Sequence, residues 1–161
     1  MALWTIADQQ QFRPLGKNST ELFKQLQVEV ETNDVVLYLG FEFYQDLKRN
    51  LADYELLING GSYELNGYTY EFDGLKKMFS FLLYARYVRQ SYITDTFSGF
   101  SQHTGENFQR ISNAELSNQE NMYKQIAGTV WDGCYRYLAT LQLPYFHFAP
   151  NTKRTFKIDA L

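Results

Sequence analysis

The sequence is poor in the residues that build covalently linked or metal-held structures. Its 161 residues include one cysteine, three prolines and two histidines. A single cysteine cannot close a disulfide within the chain, and no Cys/His cluster has the spacing of a zinc site. We therefore expect no disulfide scaffold, no metal site and no cofactor.

Long apolar runs are missing as well. No stretch approaches the roughly 18 uncharged apolar residues of a membrane span. Residues 1–8 lack the basic segment and long apolar segment of a signal peptide. We expect a chain that is made in a reducing cytoplasm and does not contact a membrane.

The sequence offers few groups of residues that match the pattern of a known active site. Ser98, His103 and Asp95 are the residue types of a hydrolase triad, but they lack the strand-turn-helix context of a nucleophile elbow. No other metal-ligating residue lies at helical spacing from His147. Cys134 falls among the apolar residues of one helix face, so we expect its thiol to be buried. No phosphate-binding loop is present. We predict that the protein is not an enzyme.

Aromatic residues are abundant: 13 Tyr, 13 Phe and 2 Trp. With 45% apolar and 20% charged residues, the composition is that of a folded chain, and the length favours a single domain over residues 1–161. Because a tyrosine ring tolerates a half-buried place, the aromatic surplus fits either a core or extensive interfaces.

Helical patterns dominate, and we predict a mainly α fold, a bundle of about four helices with a core over residues 18–141. After an irregular opening to about Lys17, a helix over 19–32 starts at the cap Asn18 and is interrupted at 33–34. Helix is also favoured on both sides of Gly40.

A β-hairpin insertion is predicted at residues 62–72. Ser62–Leu65 and Tyr68–Phe72 are β-prone runs joined by Asn66-Gly67, the dipeptide that best tolerates a tight hairpin turn. Glu64 and Glu71 flank the turn, and we expect them to lie on the solvent-exposed face of the hairpin rather than to form a catalytic acid/base pair.

A core helix follows from Leu75 to about Ser91, and residues 93–111 form a long loop without a regular pattern. A capping box at Ser112 then opens a last helix, which ends before Pro144. The predicted buried face of this helix comprises Met122, Ile126, Val130, Cys134, Tyr137, Leu138 and Leu141. Gly128 and Gly133 within it imply close approach by another element. We predict that residues 144–161 form a C-terminal arm. Within it, apolar and polar residues alternate over 155–159, as they do in a short strand.

Charge is distributed in blocks. Residues 34–75 hold eight acids against two bases, net −6, and residues 76–92 hold four bases, net +4. The tail from residue 142 nets +2, and the whole chain −3. These blocks fit either solvated faces or an acidic face that meets a basic face of the next subunit.

The order of these parts resembles that of the head-to-tail adaptor (connector) proteins of tailed bacteriophages, in particular those of crAss-like phages and other phages of Bacteroides-type hosts. The resemblance covers about residues 15–141. It rests on a capped N-terminal helix, a small hairpin, an aromatic helix, a long loop and a final helix. The segments that carry it include Leu39-Gly40, Phe43–Leu47, Gly74–Met78, Tyr84–Tyr87, Thr96–Phe100 and Tyr135–Leu138.

The resemblance implies a structural virion protein that is made in the host cytoplasm and forms a homo-oligomeric ring, commonly a dodecamer, at the phage neck. Its partners would be the portal protein and other neck or tail proteins. DNA would be passing cargo only, and an acidic protein suits that passage because like charges repel.

The family's contacts would fall here on the loop 93–111, on the C-terminal arm 144–161 and, as a third candidate, on the hairpin. The assembly residues predicted in the loop and arm are Phe97, Gly99, Phe100, Phe108, Tyr145, Phe146, Phe148, Lys153, Arg154, Phe156 and Lys157. The alternative is a small enzyme or ligand-binding domain whose aromatic-lined pocket uses Glu42, Glu64 or Glu71. DNA binding within the virion is a weaker option.

Overall fold

The computed structural model describes residues 3–15, 20–91, 93–96, 99–102 and 112–143, with side-chain detail outside the range 91–111. The chain is mainly α-helical and carries a small antiparallel hairpin, which confirms the predicted fold class. The helices are α1 (Ile6–Phe12), α2 (Thr20–Val30), α3 (Val36–Leu39), α4 (Phe41–Arg49), α5 (Glu55–Asn59), α6 (Leu75–Ser91) and α7 (Asn113–Leu141), and the strands are β1 (Gly61–Leu65), β2 (Tyr68–Phe72), β3 (Ile93–Thr96) and β4 (Gly99–Gln102).

The centre of the fold is the packing of α6 against α7. Helix α6 is buried on most of its circumference, as its apolar composition predicts. The buried residues of α7 are Leu116, Tyr123, Ala127, Val130, Cys134 and Leu138. Met122 and Leu141 were predicted on that face, but they are 45% and 37% exposed. At the N-terminal end the buried residues are Tyr123 and Ala127, one position after the predicted Met122 and Ile126, and at the C-terminal end the buried face stops at Leu138.

The capping box that opens α7 is confirmed. The backbone N–H of Glu115 donates to Ser112 Oγ at 3.2 Å, and the backbone N–H of Ser112 donates to Glu115 Oε2 at 2.7 Å. Hydrogen bonds from the backbone and side chain of Ser112 hold the pKa of Glu115 below its usual value. A local sequence signal was sufficient here because both partners lie within one helical turn.

The prediction of an irregular opening was wrong, because residues 6–12 form α1. Thr5 and Asp8 make a reciprocal capping box, and Trp4 is buried with its ring centroid 4.9 Å from that of Phe79. The amide of the fully buried Gln9 donates to the carbonyl oxygen of Ser80 in α6 at 3.1 Å. The N-terminal segment thus belongs to the core, which extends beyond the predicted range.

The predicted interruption at residues 33–34 is also wrong. Residues 31–35 form a π-helical turn that continues α2 into α3. Asp34 within this turn accepts a hydrogen bond from Arg86 Nε at 2.6 Å, so a contact with α6 stabilises the turn. Helix on both sides of Gly40, whose φ is +76°, is confirmed. The predicted cap Asn18 lies outside the described residues.

The first hairpin is confirmed, with Asn66 and Gly67 both at positive φ (53° and 79°) between β1 and β2. The second hairpin corrects the expectation of a loop without regular structure, since Ile93–Thr96 pairs with Gly99–Gln102. This stretch has no turn dipeptide as diagnostic as Asn-Gly, and for that reason its pairing was not predicted.

Candidate functional site

The β1–β2 hairpin has two chemically different faces. Directly opposed residues share a face, and the register pairs Tyr63 with Tyr70 and Leu65 with Tyr68. The apolar face therefore consists of Tyr63, Leu65, Tyr68, Tyr70 and Phe72. The opposite face consists of Ser62, Glu64, Thr69 and Glu71, all of them exposed.

The base of the apolar face is anchored on α7. Phe72 is buried and its ring stacks on Tyr137 at a centroid distance of 4.8 Å, while Tyr63 lies 5.4 Å from the same tyrosine ring. A Cβ on Gly133 would lie 3.3 Å from Cβ of Phe72. Gly133 is thus the site of close approach that the sequence predicts. Gly128 is not, because a Cβ there would meet nothing within 4 Å.

Two glycines fix the hairpin to the bundle at the point where the chain enters and leaves it. Gly60 precedes β1 with φ +82°, and Gly74 follows β2 with φ +79°. A Cβ on Gly74 would overlap the backbone of Gly60, and a Cβ on Gly60 would lie 2.5 Å from the carbonyl carbon of Asp73. Only glycine allows both the conformation and the approach. The hairpin therefore has a defined orientation relative to α6.

The outer part of the apolar face is uncovered in the described chain. Leu65, Tyr68 and Tyr70 are 40%, 69% and 41% exposed. The ring of Tyr70 stacks on Tyr63 at 5.6 Å, so the exposed residues continue the anchored aromatic cluster without a break. Clustered exposed apolar residues of this kind mark interaction sites more often than single ones do.

A second group of exposed apolar residues lies on the helix that runs from α2 through the π turn to α3, and on the first residue of α4. Val28, Leu37 and Phe41 are 65%, 71% and 66% exposed. Thr32, also exposed, lies between the first two. The five-residue step from Thr32 to Leu37 crosses the π turn, which has a longer repeat than the α-helix, so Val28, Thr32 and Leu37 follow one line along this helix. Phe41 comes directly after the break at Gly40. We call this surface the Leu37 stripe.

The basic block of α6 is paired inside the chain. All four of its basic side chains make ion pairs with acids of the same subunit. The N–O distances are Lys76–Asp8 3.0 Å, Lys77–Asp73 2.8 Å, Arg86–Asp34 2.6 Å and Arg89–Glu120 3.4 Å. The bases at 76–92 therefore already have acidic partners within the subunit, which favours internally paired faces over a contact with a neighbour's acidic face.

Two of these acids and bases have shifted pKa values. The hydrogen bond to Asp34 raises the pKa of Arg86 above its usual value. Burial opposes ionisation of Asp8, but hydrogen bonds from Thr5 and the contact with Lys76 outweigh it and hold the pKa of Asp8 below its usual range. Both shifts stabilise the charged form, as structural ion pairs do.

A cluster of Tyr44, Glu31 and Lys48 has residue types found in active sites. Tyr44 donates to Glu31 Oε2 at 2.7 Å, and Lys48 Nζ donates to both partners at 3.1 Å. Burial and the bond to Glu31 raise the pKa of Tyr44, and the bond to Tyr44 raises that of Lys48. A tyrosine or lysine that serves as a general base needs its pKa lowered towards the working pH, the opposite of these two shifts. These contacts instead tie α4 to the π turn.

The acidic residues named for the alternative function do not form a pocket together. Glu64 and Glu71 lie exposed on the polar face of the hairpin, and Glu42 is exposed in the first turn of α4. A surface recess of about 500 Å³ at the base of the hairpin is lined by Gly61, Ser62, Glu71, Phe72 and Asp73, with a single aromatic ring among them.

Neither a metal cluster nor a reactive thiol is found in the part of the chain that the structure describes. No group of three or more His, Cys, Asp or Glu residues is placed there to hold a metal ion. Cys134 is buried, as predicted, and burial raises the pKa of its thiol to about 12. In the same ranges, no helix is long and apolar enough to cross a membrane.

Most of the predicted assembly residues lie outside the described ranges. Gly99 and Phe100 are in β4, where they pair with Thr96 and Asp95. The residues outside are Phe97, Phe108, Tyr145, Phe146, Phe148, Lys153, Arg154, Phe156 and Lys157. The hairpin, predicted as a third contact, does present an exposed apolar surface. The Leu37 stripe was not predicted, although Leu37 and Phe41 follow Val28 and Thr32 at near-helical steps.

A protein-family model matches residues 37–157 of the chain, and its description is a family of unknown function, DUF6712. The match includes the hairpin and both long helices and excludes α1 and α2. No curated protein and no solved structure matches the chain.

Proposed function

The chain belongs to the DUF6712 family, and since that family has no known function, we propose one from the surfaces of the chain itself. In this proposal the protein is a structural component of a virion and has no catalytic activity. Copies of it form a ring, commonly a dodecamer in proteins of this kind, at the neck of a tailed phage. The ring connects the portal protein to the next tail component and surrounds the path of the DNA.

The observation that carries this proposal is the aromatic face of the hairpin, whose outer part is not covered by any residue that the structure describes. A two-stranded hairpin is marginal by itself, and it gains stability when its apolar face packs against something else. Here Phe72 and Tyr63 are packed on α7, but Leu65, Tyr68 and Tyr70 extend the same face into solvent. The paired glycines at its base hold this surface in a fixed direction, which suits a subunit contact.

The order of parts supports the phage neck as the location. A helical core with a capped long last helix and a small hairpin is what the resemblance to head-to-tail adaptors implies. The net charge of −3 is compatible with DNA that passes without binding. A ring subunit at the neck contacts the portal or other neck proteins as well as its neighbours in the ring. The Leu37 stripe offers a second apolar surface for such a contact.

The alternative, a small enzyme or ligand-binding domain, gains no specific support from the described residues. Its named carboxylates are exposed and belong to different elements, and the recess at the hairpin base is lined mainly by polar atoms. A thermal-shift screen tests it directly: a ligand that binds only the native state at about 100 times its Kd adds roughly 2.7 kcal/mol of stability.

The ring is tested by native mass spectrometry of the full chain. The wild type is expected at a multiple of its 18.9 kDa subunit mass and should co-sediment with a portal protein of the same phage. Tyr68→Ser removes an exposed ring and should shift the mass towards monomer. Met122→Ser, which removes a 45% exposed apolar residue of α7, is the matched control. A wild-type chain that stays monomeric at high concentration and does not bind portal would contradict the proposal.

A further inference from the structure

The hairpin has open backbone edges. Among the described residues, β1 and β2 pair only with each other. Across a two-residue turn, Leu65 and Tyr68 form a hydrogen-bonded pair, as do Tyr63 and Tyr70 two residues further on. The backbone N–H and C=O groups of Glu64 therefore point away from β2. An edge of this kind is a template for another strand.

Strand β1 makes fewer contacts with the helices than β2 does. Both strands touch α7, since Phe72 of β2 and Tyr63 of β1 lie against Tyr137. Strand β1 contacts the bundle at Gly61, which lies against the side chain of Leu56, and at Tyr63, which lies against Tyr137. Glu64 and Leu65 lie beyond these contacts.

The C-terminal arm contains a segment whose pattern matches the two faces of the hairpin. In Thr155-Phe156-Lys157-Ile158-Asp159, apolar and polar residues alternate. As a strand, the segment would present Phe156 and Ile158 on one face and Lys157 on the other. The hairpin likewise has an aromatic face and a face with Glu64 at its centre.

We propose that residues 155–159 of a neighbouring copy add to the outer edge of β1 as a third strand, and this inference rests on the proposed ring. Phe156 and Ile158 then extend the apolar face beside Tyr63 and Leu65. Lys157 lies on the acidic face, next to Glu64. Main-chain hydrogen bonds supply affinity, and the alternating side chains set the register.

Charge complementarity supports this occupant. Glu64 and Glu71 are exposed and take part in none of the ion pairs within the described chain. The bases of α6 are all paired internally, whereas the arm brings Lys153, Arg154 and Lys157 against one acid. Opposite charges on neighbouring strands favour pairing, and like charges would oppose it.

Chain length supports a neighbour as the donor. Eleven residues, 144–154, separate Leu143 from the segment, and an extended chain of that length spans up to about 40 Å. A domain of this size has a radius of gyration of about 15 Å, so the segment reaches the adjacent subunit. A contact in which one copy donates an arm and the next accepts it is head-to-tail, the kind that closes into rings.

Two full-length variants separate donor from acceptor. Glu64→Pro removes the outward N–H of β1, which an edge strand tolerates but an added strand does not. Phe156→Asp with Ile158→Asp removes the apolar side of the arm. Each variant alone should fail to assemble, and an equimolar mixture should form a 1:1 complex, because one functional contact remains. Glu71→Pro, the same change at the outer edge of β2, is the matched control and should assemble like the wild type.

Charge exchange gives a second test that does not depend on proline. Glu64→Lys and Lys157→Glu should each weaken association at least tenfold, and the two together should restore it. Unchanged melting temperatures would show that the variants fold. Assembly of Glu64→Pro at wild-type level would overturn the proposal. Failure of the mixture to form a complex would overturn it too, and this is the result expected if the arm folds onto the hairpin of its own chain.

A peptide assay distinguishes failure of this inference from failure of the ring. A labelled peptide of residues 152–161 is titrated with the full-length arm variant, and fluorescence polarisation reports binding. We expect binding that Glu64→Pro in the same chain weakens at least tenfold and Glu71→Pro does not. Binding without wild-type assembly would sustain strand addition and contradict the ring. Assembly without peptide binding would overturn strand addition alone.

Discussion

The two glycines of α7 allow the packing of the hairpin to be measured by one pair of matched substitutions. Gly128 and Gly133 lie in the same helix, and a Cβ at Gly128 meets nothing within 4 Å. Replacing a helical glycine with alanine gains about 1 kcal/mol from helix propensity. Gly128→Ala should therefore raise the free energy of unfolding by about that amount, or the melting temperature by roughly 2–4 °C for a chain of this size.

The same change at Gly133 meets Phe72. The new Cβ would lie 3.3 Å from Cβ of Phe72, whose ring is buried and stacked on Tyr137. The propensity gain is thus offset by displacement of the hairpin, and Gly133→Ala should stabilise less than Gly128→Ala. A leucine makes the contrast larger, because forcing extra methylenes into a packed contact costs about 1–3 kcal/mol. Gly133→Leu should be destabilising, and Gly128→Leu should not.

Urea denaturation followed by circular dichroism measures all four variants, with the midpoint read at constant m-value. A double-mutant cycle with Phe72→Ala identifies the cause, since the penalty at Gly133 should shrink when the ring is absent. If Gly133→Leu were as stable as Gly128→Leu, Phe72 would not be pressed against α7. The orientation of the exposed aromatic face would then be wrong.

Three further predictions concern the ion pairs and the buried thiol. Arg86→Gln should lower the free energy of unfolding by about 1 kcal/mol, because its partners are partly buried, whereas the exposed Arg89→Gln should change it by less than ~0.5 kcal/mol; urea denaturation compares them. Asp8→Asn should destabilise at pH 7. Because the folded pKa of Asp8 is lowered, its contribution is present above about pH 4 and lost as the pH falls further, so wild-type and variant melting temperatures should converge below that pH. Native Cys134 should resist a thiol reagent at pH 8 until urea unfolds the chain, and rapid labelling of the folded protein would contradict its burial.

Short-range sequence signals predicted the elements that later proved most informative. The Asn66-Gly67 turn and the Ser112 capping box each involve residues within one turn of one another, and both are present as predicted. The same kind of signal exists at Thr5 and Asp8, where it opens α1. A helix does not follow from this signal alone, because the seven-residue segment has no repeating apolar face. The contacts of Trp4 and Gln9 with α6 hold it in place.

Features that depend on long-range contacts could not be read from the sequence. The π turn at residues 31–35 looks like a helix end because Asn33-Asp34 are poor helix formers. Contacts with distant parts of the chain support the helical turn: Arg86 pairs with Asp34, and Val30 and Val35 on either side are fully buried. The two glycines of α7 likewise have the same signature in the sequence. Only the position of the hairpin makes one of them a contact and leaves the other open.

The ion pairs of the α6 bases within the subunit make a contact between acidic and basic blocks of neighbouring subunits less favourable. If the acidic block at 34–75 met the basic block of a neighbour, Lys76, Lys77, Arg86 and Arg89 would have to exchange their partners within the chain for new ones. Replacing an ion pair with an equivalent one yields little net free energy. Intersubunit complementarity must therefore come from charges that the fold leaves unpaired. Among the described residues, Glu64 and Glu71 of the hairpin take part in no ion pair. The sequence of the arm groups Lys153, Arg154 and Lys157 within five residues, which is why arm and hairpin are the pair of surfaces to test first.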